Sequence, residues 1–306
     1  MPRVRLDRVR STTATLVALA LLAVPGIASA QTASEPVITS APGRVSYDGR
    51  GVIEGTMEGG TPGQELELQR RLGDGEWRRI ASKPLDESGR VRFPLHDLHR
   101  SAGYRLVHTD PATAVTTSSD RHRIAVTPRL RLRTSKDHLM QGRRLRLSGS
   151  LLPAVPGRTV LLQQKVAGEW RYVDRLRAGD GRFSRYFRPD HDGFRRLRAR
   201  FAGDGYNRRA VQREGIRVYE PDLATWYGPG FYGNTTACGK RLGYDTLGVA
   251  HRSLPCGTDV ALLYQGRTIT VPVIDRGPYS SADWDLTEET ADRLGFSGKE
   301  TIGTDH

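Results

Sequence analysis

The feature that most restricts the fold of this chain is a long internal repeat. Pro62-Gly63-Gln64-Glu65-Leu66-Glu67-Leu68-Gln69 is answered by Pro156-Gly157-Arg158-Thr159-Val160-Leu161-Leu162-Gln163, and Gly75-Glu76-Trp77-Arg78 by Gly168-Glu169-Trp170-Arg171. Gly89-Arg90-Val91-Arg92-Phe93 is then matched by Gly181-Arg182-Phe183-Ser184-Arg185, and Gly103-Tyr104-Arg105 by Gly193-Phe194-Arg195. The offset stays between 90 and 94 residues, so a whole domain is duplicated rather than a short solenoid unit. Inside each copy apolar positions alternate with polar ones, as at Leu66 and Leu68 or Val91 and Phe93, with turn residues between the runs. That is the pattern of antiparallel strands in a β-sandwich of immunoglobulin size. Two tandem Ig-like β-sandwiches are therefore expected at residues 37–127 and 128–218, with the second left near Glu220-Pro221. Trp77 and Trp170 hold equivalent places, and each is expected to pack the core of its own sandwich.

Charge separates these copies from the rest. Residues 219–306 carry 7 Lys+Arg against 12 Asp+Glu, and the first 30 residues carry 4 against 1. Residues 31–218 hold the remaining 36 against 21, a net of +15. Runs such as Arg129-Leu130-Arg131-Leu132-Arg133 and Arg144-Leu145-Arg146-Leu147 set guanidinium groups on the solvent face of a sheet. A plain solvated basic face and an electrostatic attachment to a polyanion both fit this pattern. The forked guanidinium suits phosphate better than an ammonium does.

The amino terminus sets the compartment in which that charge would act. Arg3, Arg5, Arg8 and Arg10 precede an apolar run from Ala14 to Val24 that is short for a bilayer span, and Ala28-Ser29-Ala30 fits a small-residue cleavage site. Residues 1–30 thus read as a secretory signal peptide, and the mature chain, from about Gln31, is expected to be exported. No cysteine follows the apolar run directly, so no lipid anchor is expected, and no transmembrane segment is expected in the mature chain. The expected location is secreted, cell-wall or periplasmic. The available polyanions there are anionic wall polymers, acidic glycans and lipid headgroups. Nucleic acid is not an expected partner, because no nucleic-acid motif is present.

The last third of the chain carries the chemistry. Its two cysteines, Cys238 and Cys256, are the only ones in the sequence, and in an exported chain they read as one disulfide. No metal or other cofactor is expected, since two thiols and the nearby His251 supply too few ligands for a metal. Thr268-Ile269-Thr270-Val271-Pro272-Val273-Ile274 is a β-branched run that reads as a strand, and Gly277-Pro278 ends it. Asp275 sits where that strand opens into a loop. From such a place a side chain reaches a groove while a rigid sheet holds its backbone. A turn aspartate bonded to backbone N–H groups, or one paired with Arg276, fits the same pattern.

Ala224-Thr225-Trp226-Tyr227-Gly228, Phe231-Tyr232-Gly233, Thr236-Ala237-Cys238-Gly239, Gly248-Val249-Ala250-His251-Arg252, Val273-Ile274-Asp275-Arg276-Gly277-Pro278 and Asp285-Leu286-Thr287 occur in that order. In these blocks the chain resembles the rare lipoprotein A (RlpA) family over roughly residues 222–298. The resemblance implies a six-stranded double-psi β-barrel, related to the expansin and barwin folds, at 222–306. The fold class expected for the whole chain is therefore all-β. It also implies a short helix from Glu288 to Gly295 with Thr287 as its N-cap, with Trp226 filling the barrel.

In function the resemblance implies peptidoglycan glycan strands as partner and, in active members, lytic transglycosylase chemistry. Such cleavage protonates the glycosidic oxygen while the sugar's own C6 hydroxyl attacks the anomeric carbon. One carboxyl group can then serve as acid and base. Asp275 matches the family aspartate and is the candidate acid/base, with His251 as the second catalytic candidate. Thr236, Tyr232, Tyr279, Lys240 and Asp285 are candidate substrate contacts. Lys240 stands where active members carry a glutamate, so a non-catalytic, expansin-like binder of wall glycans stays open beside the enzyme. A structural adaptor also fits the fold, with no feature pointing to it.

Overall fold

The computed structural model describes residues 34–306. The expected leader lies outside the described residues. In the first repeat, Pro36–Ser40, Gly49–Met57 and Arg90–Leu98 form a three-stranded sheet. It faces a second sheet in the order Arg44–Ser46, His122–Thr127, Ala102–Thr109, Glu65–Arg71, Arg78–Pro84. Val91, Phe93 and Leu95 turn inward in alternation with exposed Arg92, Pro94 and His96, and they close the core with Ile53, Leu66, Leu68 and Tyr104. Each such large side chain contributes about 1.5–3 kcal/mol by leaving water.

The second repeat follows the same plan. Arg129–Thr134, Leu145–Leu152 and Arg182–Phe187 face Glu169–Arg177, Thr159–Val166, Gly193–Phe201 and a long strand beginning at Ala210. The parallel pairing of Arg44–Ser46 with His122–Thr127 recurs as that of His138–Met140 with the long strand. Both repeats are therefore two-sheet sandwiches with one strand order.

The tryptophans correct the expectation made for them. Trp77 and Trp170 lie outside both cores, half-buried under arginines on the outer sheet face. Arg71 and Arg105 stand 4.9 and 4.6 Å from the Trp77 ring centre, and Arg198 stands 4.1 Å from that of Trp170. Leucine, valine and phenylalanine already fill the interior, whereas a flat ring outside gives guanidinium groups a face to cover.

The long strand, β1 (Ala210–Tyr227), joins the second sandwich to the barrel without a linker. Residues 210–218 pair with Gly193–Phe201, and the expected exit at Glu220-Pro221 lies within the strand. The remaining elements are β2 (Val249–Ala250), β3 (Asp259–Tyr264), β4 (Arg267–Asp275), β5 (Trp284–Thr287), α1 (Glu288–Leu294) and β6 (Glu300–Asp305). Their order is β1-β5-β2-β4-β3-β6, and β6 pairs back onto β1. Six strands thus close on themselves, and closure leaves no free sheet edge.

The barrel interior is packed by Val249, Leu262, Val271, Val273, Trp284, Leu286 and Ile302. Trp284, 1% exposed, is the large plug, and its Nε1–H donates to Asp222 Oδ2 at 2.9 Å. Trp226, expected in that role, is 37% exposed at the end of β1. One indole already occupies the centre. α1 is capped by Thr287, whose hydroxyl accepts the Thr290 N–H at 3.3 Å. It stops one residue earlier than expected because Gly295, at φ 70°, takes the left-handed capping conformation.

Candidate active site

Strand register builds the site. Ala250 of β2 pairs with Asp275 of β4 on one side and with Asp285 of β5 on the other, and Asp285 pairs with Thr225 of β1. Asp275, Ala250, Asp285 and Thr225 therefore form one row across four strands, on one face of the wall. Two strand spacings, roughly 9–10 Å of backbone, separate the two aspartates. The small Ala250 between them is itself buried, 3% exposed.

Asp275 is fixed by its Oδ1, which accepts the N–H of Ala237 at 2.9 Å and that of Arg276 at 2.8 Å. The Tyr227 hydroxyl lies close to the same carboxyl, outside normal hydrogen-bond geometry. Ala237 owes its place to the disulfide, since Cys238 and Cys256 are joined, with Cα atoms 5.7 Å apart. That bond draws the 234–241 turn onto the wall. Arg276 braces the same corner, donating from Nη2 to Cys256 Sγ at 3.2 Å and from Nη1 to the His251 carbonyl at 3.3 Å.

Asp285 accepts the Thr225 hydroxyl at 2.8 Å. Its carboxyl is pushed above the usual carboxylate range, first by burial and then by the charge of Asp275, against the lowering effect of Thr225. Tyr227 lies two residues beyond Thr225 on the same face. Its hydroxyl is buried without a hydrogen-bond partner of normal geometry. Burial, with the charges of Asp275 and Asp285, raises its titration far above that of a free tyrosine. Two carboxyls and a phenol thus share one small site.

The other candidates are placed differently. His251 Nδ1 accepts the N–H groups of Ser253 and Leu254 at 3.2 and 3.0 Å, which leaves the proton on Nε2. Its ring packs on Trp284 at 4.4 Å, and burial, then the neighbouring His306, lowers its titration. It meets Asp275 only through the backbone, His251 N–H to the Asp275 carbonyl at 3.2 Å. Thr236 is 8% exposed, and its hydroxyl accepts the Lys240 N–H at 3.2 Å, closing the turn. The Lys240 side chain is exposed and forms no ion pair with Asp275 among the described residues.

Tyr232 is half-buried against Tyr244, with ring centres 4.0 Å apart. Tyr279 is 91% exposed on the loop after Gly277. Arg252 holds that loop by donating to the carbonyls of Pro278 at 3.0 Å and Ser280 at 2.9 Å, and to that of Ala282. The register thus unites Asp275 and Asp285 but sets His251, Thr236 and Lys240 apart from that row. Sequence reasoning passed over Thr225 and read Tyr227 only as one of several rings that could face a glycan. The period-two spacing of Thr225 and Tyr227 ahead of Gly228 was the available signal.

Residues 222–304 match a family model described as lytic transglycolase. These are the residues of the closed barrel and its carboxylate row. Residues 222–304 form an RlpA-like double-psi β-barrel domain. A probable endolytic peptidoglycan transglycosylase RlpA of Synechocystis is 43% identical over 67 residues, 21% of each chain. One of Aquifex aeolicus is 44% identical over 81 residues, 26% of this chain and 36% of the relative. The endolytic peptidoglycan transglycosylase RlpA of Campylobacter jejuni is 44% identical over 59 residues, 19% of this chain and 22% of the relative. This chain thus matches between about a fifth and about a third of the length of these relatives, and the likeness belongs to the RlpA-like domain. Among the described residues no helix is long and apolar enough to cross a membrane.

Proposed function

We propose that this chain is an exported cell-wall protein whose RlpA-like domain cuts peptidoglycan glycan strands as a lytic transglycosylase, with Asp275 as acid and base. The observation that carries the reading is the anchored Asp275 carboxyl. One oxygen is held by two N–H groups, and the carboxyl lies next to a second carboxyl and the Tyr227 phenol. Asp275 gives its proton to the glycosidic oxygen as the bond from that oxygen to the anomeric carbon breaks. It then takes the proton of the C6 hydroxyl as that oxygen bonds to the anomeric carbon. The product is a 1,6-anhydro sugar, and no water is consumed.

Asp285, raised by burial, keeps its proton at a pH where an ordinary carboxyl has lost it. It supplies, beside Asp275, the second carboxyl that Lys240 does not. Tyr232 and Tyr279 offer ring faces to sugar C–H groups. Thr236 and Lys240 belong to the turn that carries Ala237, which aligns them with positioning the groove. The basic sandwiches, residues 31–218, attach the protein to anionic wall polymers.

The exposed Lys240 favours a second reading, an expansin-like binder that holds glycan in this groove without cutting it. Incubation of the purified protein with peptidoglycan sacculi separates the two. 1,6-Anhydromuropeptides detected by mass spectrometry, and lost in Asp275→Asn, are expected from the enzyme. Retention of glycan with no anhydro product leaves the binder.

A further inference from the structure

A cleft of about 1020 Å³ lies where the second sandwich meets the barrel, away from the carboxylate row. Its sandwich wall carries Lys136, Arg143, Arg144 and Arg188, and its barrel wall is Leu263, Gln265 and Gly266 of the β3–β4 hairpin. All four cations are exposed. Among the described residues none of them makes an ion pair. The one acid in the lining, Asp137, accepts the Thr134 hydroxyl at 2.9 Å.

The cations are held close by the backbone. The ladder between Leu145–Leu152 and Arg182–Phe187 ends with Leu145 opposite Phe187, so Arg144 and Arg188 are neighbours at its end. Arg144 stands 5.0 Å from the Tyr186 ring centre, which fixes its direction. The 137–141 segment is pinned to β1 by Arg217 N–H to the Asp137 carbonyl at 2.8 Å and Gln141 N–H to the Tyr219 carbonyl at 2.8 Å. His138 Nδ1 lies 2.8 Å from the Tyr219 hydroxyl. Like charges gathered at a strand end destabilise the fold unless an anion bridges them.

We propose that this cleft binds a segment of a polymer carrying phosphate along its backbone. The proposal deepens the attachment reading above and rests on it. Three of the four cations are arginines, whose forks take two phosphate oxygens at once. The cleft exceeds the size of one phosphate group, as a polymer segment requires, and it opens to solvent. Its position beside β1 sets the bound polymer at a fixed place relative to the barrel.

The test uses long-chain inorganic polyphosphate and the full chain at low and high ionic strength. Lys136→Gln, Arg143→Gln, Arg144→Gln and Arg188→Gln together are expected to weaken binding about tenfold or more at low salt and to flatten its salt dependence. A control changing Arg131, Arg133, Arg171 and Arg175 to Gln, all exposed and outside the cleft, removes the same charge and is expected to cost less than about threefold. An Arg144→Gln, Arg188→Gln double variant, with about a threefold loss expected, serves if four changes unfold the chain. Equal losses in the cleft and control variants, or no loss in the cleft variant, overturn the cleft while attachment stands. A wild-type chain that ignores polyphosphate overturns both. Binding to anionic lipid vesicles without binding to polyphosphate assigns the basic surface to a membrane and overturns the proposal. None of these readings involves anhydro-product formation, so the enzymatic proposal stands or falls separately.

Discussion

The second sandwich and the barrel share one strand and treat charge in opposite ways. Along the sandwich part, arginines point to water and lie over rings, as Arg198 does on Trp170 and Arg144 on Tyr186. Along the barrel part, charge is gathered into one row, where Asp275 is tied by N–H groups and Asp285 by a hydroxyl. The first arrangement works at a distance and is screened by salt. The second works only at hydrogen-bond distance and is set by strand register. A surface tolerates the loss of one arginine among many; a row of two carboxyls does not tolerate the loss of one.

The largest expected effect follows from that contrast. Asp275→Asn keeps the shape and the bonds from Ala237 and Arg276 but removes the titrating proton. Anhydro-product formation should fall by roughly a hundredfold to ten-thousandfold, while retention on isolated walls stays within a few-fold. Lys240→Glu, which restores a carboxyl on the turn beside Asp275, should raise the rate. A wild-type protein that yields no anhydro product, with a Lys240→Glu variant that gains none, would remove the enzyme from the comparison.

Next in size is the disulfide. In the chain-entropy view, closing a loop between residues 18 apart stabilises by about 3 kcal/mol. Reduction should lower the melting temperature of the barrel and loosen the turn that presents Ala237, so activity should fall before the barrel unfolds. The first sandwich should be indifferent. Calorimetry in which every transition moves together on reduction would break the contrast and make β1 a cooperative link through the molecule.

Much of this division was legible in the sequence. The repeat offset and the alternation at Val91 and Phe93 imply two sandwiches, and the ordered blocks from Ala224 to Thr287 imply the barrel. Side-chain placement was less legible where alternation alone had to decide it. Trp77 and Trp170 are large and apolar, which argues for a core, but the nearby arginines cover them on the outer face. Trp226 and Trp284 are equally suited to plug a barrel, and only closure of the strands decides between them. The Asp275, Ala250, Asp285 row was illegible for a similar reason. It depends on which strands pair, and β2 is only two residues long.

A smaller effect concerns the basic side. Retention of the whole chain on isolated walls should weaken about tenfold or more between low and high salt, as expected of several surface pairs acting together. A fragment lacking residues 31–218 should bind weakly at both. Salt-independent retention, or a fragment that binds as well as the whole, would move the attachment from the sandwiches to the glycan groove.

The smallest effect tests the barrel side from within. Burial raises the Asp285 carboxyl, so the folded protein holds that proton more tightly than the unfolded chain does. The unfolded chain releases it near the ordinary value of about 3.9. As pH climbs from there toward the raised folded value, the folded state loses stability, and above that value the loss is complete. Asp285→Asn carries no charge, and its carbonyl still accepts the Thr225 hydroxyl. The variant should therefore raise the barrel's melting temperature by a few degrees at pH 7 and leave it unchanged near pH 3. The parallel change in the sandwich, Asp174→Asn, removes the half-buried partner of the exposed Arg185 and should move it little at either pH. A gain for Asp285→Asn of equal size at both pH values would trace the effect to packing rather than charge. A loss at pH 7 would mean that the folded barrel favours the ionised carboxyl, against the direction that burial sets for Asp285.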